Sequence, residues 1–232
     1  MYITKENTEQ QLTHSIYIYP GIEMSRQQSI NSNQTGGSAV TAQSPLNRSL
    51  RVTGEEIWKR SERINAELFT LTYGAVVSQL CIDYGRNFVQ INEQLFQMGY
   101  NIGVRLIEDF LARTALPRCN DLQETSEVIS KCAFKIFLNI SPKVINWSNN
   151  KDSFSLLIED NPLSDFVELP MDAMDQLWYS NVLCGVLKGA LEMVQLDCDV
   201  SFVSDILRGD QQTELRIKLN KILKDEIPIG ED

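Results

Sequence analysis

The chain is poor in histidine, and this shortage limits the chemistry open to it. His14 is the single histidine among 232 residues. Catalytic serines and cysteines are commonly activated by a histidine, and histidine is a frequent zinc ligand. Most Ser-His and Cys-His catalytic systems and most histidine-ligated metal sites are therefore excluded, unless His14 itself takes part.

Cysteine pairs, long apolar runs and common catalytic motifs are also missing. No two of the five cysteines form a C-x-x-C pair, which opposes zinc-ribbon and thioredoxin-type folds. The most apolar stretch, residues 181–196, is too short for a membrane span and is broken by Lys188 and Glu192. No Walker loop, G-x-G-x-x-G, H-E-x-x-H or G-x-S-x-G motif occurs. These absences predict a soluble, cytoplasmic protein with free thiols, no metal, no cofactor site and no catalytic residues.

Basic residues are in the minority. Lys and Arg total 21 against 31 Asp and Glu, so the formal net charge is -10. Because phosphate backbones are held mainly by basic side chains, this balance opposes a nucleic-acid partner. It also opposes broad adsorption to anionic membranes.

The composition divides the chain into three parts. Residues 1–50 are predicted to form a disordered arm, since Ser, Thr, Asn and Gln occupy 22 of these 50 positions. The arm contains one apolar patch, Ile16–Tyr19, which is either a docking motif or a plain exposed patch. Residues 51–224 are predicted to be a single domain, and residues 225–232 a flexible acidic tail.

Hydrophobic periodicity predicts four helices in the domain. The first runs from an exposed start at Gly54 into a buried interior and stops at 83–85, and the second is interrupted near Gly99. The third begins at Asp121, which forms a D-x-x-E variant of the capping box with Glu124. The predicted spans are 54–82, 88–116, 121–141 and 172–196.

Strand signals follow the third helix. Phe154, Leu156 and Ile158 recur at every second position, as in a strand, and two later alternating runs cover 198–206 and 215–219. Gly209-Asp210 between these runs predicts an antiparallel hairpin. Helices, a strand, a helix and a hairpin, without regular βαβ alternation, indicate an α+β domain.

Two features suggest close contacts or reactivity. Gly185 and Gly189 form G-x-x-x-G on the fourth helix, which indicates close approach of another helix or of a ligand chain, with helix packing favoured. Cys119 follows Arg118 and precedes a helix N-terminus, and both neighbours favour the reactive thiolate. The alternative is that Cys119 fills a core position. Three further cysteines are expected in helical cores and one inward on a strand: Cys81, Cys132, Cys184 and Cys198.

Four segments resemble a known family. They are ELFTLTYG at 67–74, MGYNIGVRLIEDFLAR at 98–113, NPLSDFVELP at 161–170 and NVLCGVLKGALEMVQ at 181–195. In this order they resemble the small subunits of the trafficking protein particle (TRAPP) complex, and its subunit 3 members in particular. The resemblance covers about Gly54 to Asp232 and leaves the arm unexplained.

The resemblance implies a layer of long helices packed on a small twisted antiparallel sheet with a C-terminal hairpin. It implies a non-enzymatic core subunit, heterodimerised with other TRAPP subunits, in a complex that tethers vesicles between endoplasmic reticulum and Golgi. That complex promotes guanine nucleotide exchange on a Rab-type GTPase, and it is peripheral on cis-Golgi and vesicle membranes. The resemblance further implies palmitoylation of Cys119, beside Arg118, with Ala133 lining the acyl channel.

The C-terminal tail also gains an implied role. The resemblance implies that it reaches the nucleotide site of the GTPase, where carboxylates would repel the phosphates and compete for magnesium. The alternative is a solvated tail. The tail residues expected to contact the GTPase are Glu226, Ile227, Pro228, Ile229, Glu231 and Asp232.

A second function stays open at this point. An acyl-carrying or thiol-dependent lipid-handling protein would use Cys119 to turn over acyl groups. Turnover is disfavoured because the domain contains no histidine that could act as a general base.

Overall fold

The structure, a computed structural model, describes residues 45–223 and the backbone of Tyr17–Ile18. Seven α-helices and six strands make up this part of the chain. The helices are α1 (Pro45–Arg60), α2 (Ala66–Asp83), α3 (Phe88–Thr114), α4 (Leu122–Val128), α5 (Phe134–Leu138), α6 (Met171–Met174) and α7 (Val182–Met193). The strands are β1 (Tyr17–Ile18), β2 (Lys143–Ile145), β3 (Ser153–Ile158), β4 (Val167–Glu168), β5 (Leu196–Ser204) and β6 (Thr213–Ile222).

A four-stranded antiparallel sheet carries one side of the domain. Its strand order is β2-β3-β6-β5, and β1 and β4 form a separate two-stranded ribbon. The largest buried cluster joins inward-facing residues of β3, β5 and β6 to α7, so this helix covers the sheet. The predicted α+β class, with helices on a small antiparallel sheet and a C-terminal hairpin, is confirmed.

The hairpin connection differs from the predicted strand. Ile206, expected on the inward face with β5, instead begins a 3₁₀ helix, Ile206–Arg208, and is 52% exposed. Asp205 caps this helix by accepting a hydrogen bond from the Leu207 N–H. Its buried carboxylate therefore ends the strand two residues before the predicted boundary.

The predicted first helix is two helices. α1 ends at Arg60 and α2 begins after Asn65, whose side chain accepts a hydrogen bond from the Leu68 N–H. The sequence pattern does not reveal this cap, because the helical spacing of apolar residues continues across the break between α1 and α2. The buried interior predicted for the later part is also wrong, because only Thr70, Gly74 and Val77 of α2 are buried.

The predicted interruption of the second helix at Gly99 is wrong as well. α3 is continuous from Phe88 to Thr114, so Gly99 does not break the helix. Its missing side chain instead allows the backbone of α7 to approach closely. α3 and α7 are the most extensively packed pair of helices in the described residues. The favoured interpretation of Gly185 and Gly189, helix packing, agrees with this contact.

Both helices bring a G-x-x-x-G pair to this crossing. A Cβ placed on Gly99 would lie 2.0 Å from the Val182 carbonyl oxygen, and one on Gly185 would lie 2.0 Å from the Phe96 carbonyl oxygen. A Cβ on Gly103 would lie 2.1 Å from the nearest backbone oxygen of α7, and one on Gly189 would lie 2.4 Å from the nearest backbone oxygen of α3. The two backbones therefore touch directly, and no side chain fits between them.

The predicted third helix consists of three consecutive helical segments. α4 starts at the predicted N-cap Asp121, and α5 ends three residues before Ser141-Pro142. Between them Ile129–Ala133 forms a π-helical segment, in which the Phe134 N–H bonds the Ile129 carbonyl. α1 packs on this segment at Gly54, where a Cβ would lie 2.8 Å from the Lys131 carbonyl oxygen.

The predicted fourth helix is interrupted after its first turn. α6 ends at Met174, and the chain then crosses the core with Leu177 and Tyr179 fully buried before α7 begins. Asn92 of α3 fixes this crossing, since its Oδ1 accepts from the Trp178 N–H and its carbonyl accepts from Asn181 Nδ2.

The boundaries of the domain shift slightly. α1 begins at Pro45 and Leu50 is buried, so the boundary drawn at residue 50 falls inside a helix. The arm before residue 45, apart from the backbone of Tyr17–Ile18, lies outside the described residues. The acidic tail from residue 225 also lies outside them.

We predict that Gly185→Ala destabilises the protein, although alanine normally favours helix. Its Cβ would overlap the Phe96 carbonyl, and overpacking of this kind typically costs about 1–3 kcal/mol. The melting temperature should fall by roughly 2–4 °C per kcal/mol. Gln97→Ala on the exposed side of α3 is the control and should leave the melting temperature nearly unchanged. Equal melting temperatures for Gly185→Ala and wild type would show that the crossing is not tight.

Candidate functional site

A large apolar cavity lies between the helices and one end of the sheet. It encloses about 1170 Å³, which is above the range of roughly 300–1,000 Å³ common for small-molecule pockets. Residues of α3 and α7 form two walls, and residues of α4, the π segment and α5 form a third. The ends of β5 and β6 contribute Leu196, Leu219 and Ile222. The lining is predominantly apolar, so the cavity suits a hydrocarbon ligand.

The glycine crossing described above positions two of these walls. Val186, Leu187 and Ala190 of α7 line the cavity, and these residues flank the glycine positions 185 and 189. The glycines face α3, so the neighbouring apolar residues of α7 are left to face the cavity.

The three site residues predicted for acyl binding all line this cavity. Arg118 is exposed, whereas Cys119 and Ala133 are partly buried. Apart from Tyr73 and Gln195, the polar lining residues lie between 118 and 125. The cavity is thus polar at the Cys119 loop and apolar over most of its remaining lining. The roles assigned to the three residues stay predictions.

Local capping interactions hold the Cys119 loop. Asp121 accepts a hydrogen bond from the Glu124 N–H at 2.7 Å, as expected for an N-cap. Glu124 Oε2 accepts from the Asn120 N–H at 2.8 Å and from Asn120 Nδ2 at 3.0 Å. The predicted capping box therefore forms with its return bond one residue earlier than usual. This shift ties Glu124 to the residue directly after Cys119.

The thiol of Cys119 is less acidic than its sequence neighbours suggest. Burial is the main cause that raises its pKa, and the nearby Glu124 and Asp121 carboxylates raise it further. A hydrogen bond with Thr125 lowers the pKa but does not outweigh these effects. The expectation that Arg118 and the helix N-terminus favour the thiolate is therefore wrong. The two acidic residues that cap the helix act in the opposite direction.

The other described cysteines do not line the cavity. Cys132, Cys184 and Cys198 are fully buried, as predicted for core residues, whereas Cys81 is only partly buried. Burial raises the pKa of Cys132 and of Cys198 to about 11, and it raises that of Cys184 strongly. Among the described cysteines, Cys119 is thus the one placed to bond covalently to a ligand in the cavity.

Ala133 lies at the last position of the π-helical segment. Segments of this kind are rare and occur often at functional sites. Cys132, the preceding residue, is buried in a cluster with Phe110 and Ile136 on the side of α1 and α3. Ala133 packs against the same cluster and also lines the cavity, so this segment forms part of the wall between the two.

Sequence patterns missed most of the cavity wall. Leu106 and Phe110 of α3 lie within the second predicted helix, and Leu187 and Leu191 of α7 lie within the fourth, but none was identified as a ligand-facing position. Thr125, the hydrogen-bond partner of Cys119, carried one usable signal, its place four residues after the N-cap Asp121. The predicted GTPase-contacting residues 226–232 and His14 lie outside the described residues. Within the described part, no three potential metal-ligating side chains come together.

Comparison with known proteins assigns the family. The family described as Transport protein particle (TRAPP) component matches residues 69–218. The chain belongs to the TRAPP family. This confirms the resemblance found in the four sequence segments.

TRAPP relatives from two yeasts align over almost their whole lengths. The chain is 74% identical over 186 residues to Trafficking protein particle complex subunit BET3 of Saccharomyces cerevisiae, covering 80% of this chain and 96% of that protein. It is 56% identical over 179 residues to Transport protein particle subunit bet3 of Schizosaccharomyces pombe, covering 77% and 97%.

A solved TRAPP structure shares the fold and carries a lipid. It is trafficking protein particle complex subunit 3 of Naegleria fowleri, described as covalently bound to palmitic acid. The two chains superpose with a TM-score of 0.68 at 42% identity, over 71% of this chain and 100% of that one. None of the helices in the described residues of this TRAPP chain is long and apolar enough to cross a bilayer.

We predict that Glu124 tunes the reactivity of Cys119. Glu124→Gln removes a charge that raises the thiol pKa, while the amide oxygen can still accept from Asn120. More thiolate is then present at a given pH, so the pH profile of Cys119 alkylation should move to lower pH. The measurement is peptide mapping of maleimide-labelled protein after any thioester has been cleaved with hydroxylamine.

Glu93→Gln, the same change at an exposed position on α3, is the control and should leave the profile in place. A profile that is unchanged in Glu124→Gln would contradict the assigned electrostatic effect.

Proposed function

We propose that the chain is a scaffold subunit of a TRAPP complex in transport between endoplasmic reticulum and Golgi, with a fatty acyl chain bound to Cys119 inside the cavity. The observation that carries the acyl assignment is a single cysteine thiol on an apolar cavity of about 1170 Å³. A 42% identical relative described as covalently bound to palmitic acid supports the same chemistry. The complex acts in the cytoplasm, peripheral on cis-Golgi and vesicle membranes.

The raised pKa of Cys119 is compatible with a permanent adduct. A thioester is neutral, so burial that disfavours a thiolate does not disfavour the acylated side chain. The same burial slows nucleophilic turnover, because turnover needs the thiolate again in each cycle. The environment of Cys119 therefore favours a stable structural lipid over a catalytic thiol.

Energetics give the acyl chain a structural role. Burying a chain of about 14 methylenes contributes roughly 11 kcal/mol at most, at ~0.8 kcal/mol each. A bilayer offers about the same gain, so an enclosed chain has little reason to leave the cavity. The acyl chain is then a part of the hydrophobic core, and contact of the subunit with membrane depends on the assembled complex.

Helix α2 supplies a surface for other subunits. Its sequence is apolar on nearly all sides, yet only three of its 18 residues are buried in this chain. A helix that is apolar all round is normally buried, so this exposure indicates that a partner covers it. The exposed apolar residues on and beside the helix, here called the α2 face, are Ile64, Leu68, Phe69, Ile82 and Val89. We propose that other TRAPP subunits, one of them as a heterodimer partner, bind the α2 face.

We predict that Cys119→Ser abolishes the acyl adduct. The chain should remain folded because one sulfur-to-oxygen exchange at a partly buried site leaves the cavity walls in place. Intact-mass measurement of the purified protein detects the adduct. Cys81→Ser, at a partly buried cysteine outside the cavity, is the matched control and should retain it. A full amount of adduct on Cys119→Ser would refute the site.

Ala133→Leu tests the path of the chain through the cavity. The larger side chain should lower acyl occupancy, while overpacking typically costs about 1–3 kcal/mol and leaves the protein folded. Ala112→Leu, on the exposed side of α3, should keep normal occupancy. Normal acyl occupancy in Ala133→Leu would show that the acyl chain does not pass Ala133. Release of free fatty acid by the wild-type protein would favour the alternative, a thiol-dependent lipid-handling protein.

We also propose that the acidic tail contributes to nucleotide exchange on a Rab-type GTPase. The proposal is supported by the composition of residues 225–232, which combine four carboxylate side chains with Ile227 and Ile229. Carboxylates beside a bound nucleotide would weaken magnesium and phosphate binding.

Deleting residues 226–232 should leave folding and subunit assembly intact and slow nucleotide release. The measurement is release of a fluorescent nucleotide from the GTPase, with assembled complex that contains full-length or truncated chain. A tail in which the four acidic residues are changed to Asn and Gln separates charge from length. Equal nucleotide release rates for all three complexes would show that the tail does not contribute to exchange.

A further inference from the structure

The described segment of the N-terminal arm, Tyr17–Ile18, contacts the domain through its backbone. Tyr17–Ile18 pairs antiparallel with β4, Tyr17 opposite Glu168 and Ile18 opposite Val167. Tyrosine and isoleucine are both enriched in strands, in contrast to the Ser, Asn, Gln and Gly that dominate residues 27–44. The contact therefore falls at the apolar patch that stands out in the sequence of the arm.

The acceptor strand is held by the domain independently of β1. Val167 and Leu169 are buried, and the Val167 N–H is bonded to the Ser164 carbonyl. Thr70 of α2 donates to the Pro162 carbonyl at 2.8 Å and so ties the preceding loop to the helix. Phe166 keeps a left-handed φ of 65°, which turns the chain into β4. β4 is thus a preformed edge.

This edge has a single strand partner in the described residues. β4 is not part of the four-stranded sheet, and the one strand that pairs with it is β1. An unpaired strand edge presents N–H and C=O groups that favour the addition of another extended segment. Without the arm, β4 would offer such an edge.

The edge lies beside the proposed subunit surface. Val167 and Leu169 share a buried cluster with Val77 of α2 and with Phe88 and Ile91 of α3. The α2 face lies on the same two helices and the turn before α2. The cluster lies on the inward side of these helices, but an ion pair between Arg86, in the turn after α2, and Asp172, just after Leu169, brings the β4 segment beside the Ile82 and Val89 end of the α2 face. A segment docked on β4 is therefore close to a partner that covers this end of the face.

Most of the arm has no counterpart in the yeast relative. The match to the Saccharomyces protein leaves a fifth of this chain unmatched but only 4% of that protein. Only residues 219–232 follow the family match, so most of the unmatched fifth lies before residue 69. A role for the arm is thus particular to chains with this extension.

We propose that β4 is a strand-acceptor site occupied in cis by the Tyr17–Ile18 segment of the same chain, and that the docked arm competes with subunits for the α2 face. A ribbon of two residue pairs is marginally stable. Docking is therefore reversible, and a partner with a larger interface displaces the arm. The competition rests on the assembly role proposed above, whereas the docking does not.

The docking is tested by hydrogen exchange on the full-length chain. Ile18→Pro removes a backbone donor from β1 and disfavours pairing. Amide exchange in the peptide that contains Val167–Leu169 should become a few-fold faster in Ile18→Pro than in wild type. Ile30→Pro, the same substitution elsewhere in the arm, should exchange like wild type. Equal exchange rates in all three proteins would overturn the docking. Protection of the Val167–Leu169 amides that is lost when the protein is diluted would show instead that the strand is exchanged between two copies of the chain.

The competition is tested by co-expressing wild-type chain and a variant with the other TRAPP subunits. Mass spectrometry of the purified complex gives the ratio of the two chains. Ile18→Pro should be enriched over wild type in the complex, relative to their ratio in the lysate, and Ile30→Pro should not. An equal ratio of Ile18→Pro to wild-type chain in the complex and in the lysate would overturn the competition. The docking is decided separately by hydrogen exchange. Absence of both chains from the complex would instead refute the assembly role.

Discussion

The contact of α3 with α7 at backbone distance is the constraint on which the rest of the domain depends. Four glycines, two on each helix, let the two backbones meet where any Cβ would overlap a carbonyl oxygen. Each glycine in a helix interior costs about 1 kcal/mol relative to alanine. The packing of two long apolar helices offsets this cost. Because α7 also covers the sheet, the crossing fixes the helical layer relative to the strands.

The cavity follows from the same arrangement. With α7 held tightly on α3, the apolar residues beside the glycines point to a space that no side chain fills. Empty apolar space of this size is unfavourable because its lining loses dispersion contacts. An acyl chain would restore those contacts, so the ligand proposed for Cys119 would complete the packing of the domain. The local environment agrees with this role, since burial and two carboxylates make the free thiol less acidic and less reactive.

Sequence patterns predicted what depends on local alternation and capping. The strand at Phe154–Ile158, the final hairpin and the N-cap Asp121 were all found from spacing alone. The break before Asn65 and the crossing at Leu177 were missed, because apolar spacing continues through both and only tertiary contacts separate the helices. Cys119 was singled out by its place before a helix, but its pKa depends on burial, which spacing does not report. Its assignment to a cavity with Ala133 came from the family resemblance.

The π-helical segment before α5 is the place where this wall of the cavity tolerates the loss of one residue. A turn that closes through a bond from Phe134 to Ile129 contains one residue more than an α-helical turn. The extra residue is accommodated within this one turn, while α4 and α5 on either side keep α-helical geometry. Deleting one residue between 129 and 133 would therefore close the turn to α-helical width and leave Phe134 and Phe137, which line the cavity, on the same side. The same deletion inside α4 would instead rotate α5 by about 100°, since a helix has 3.6 residues per turn, and would turn both side chains away from the cavity.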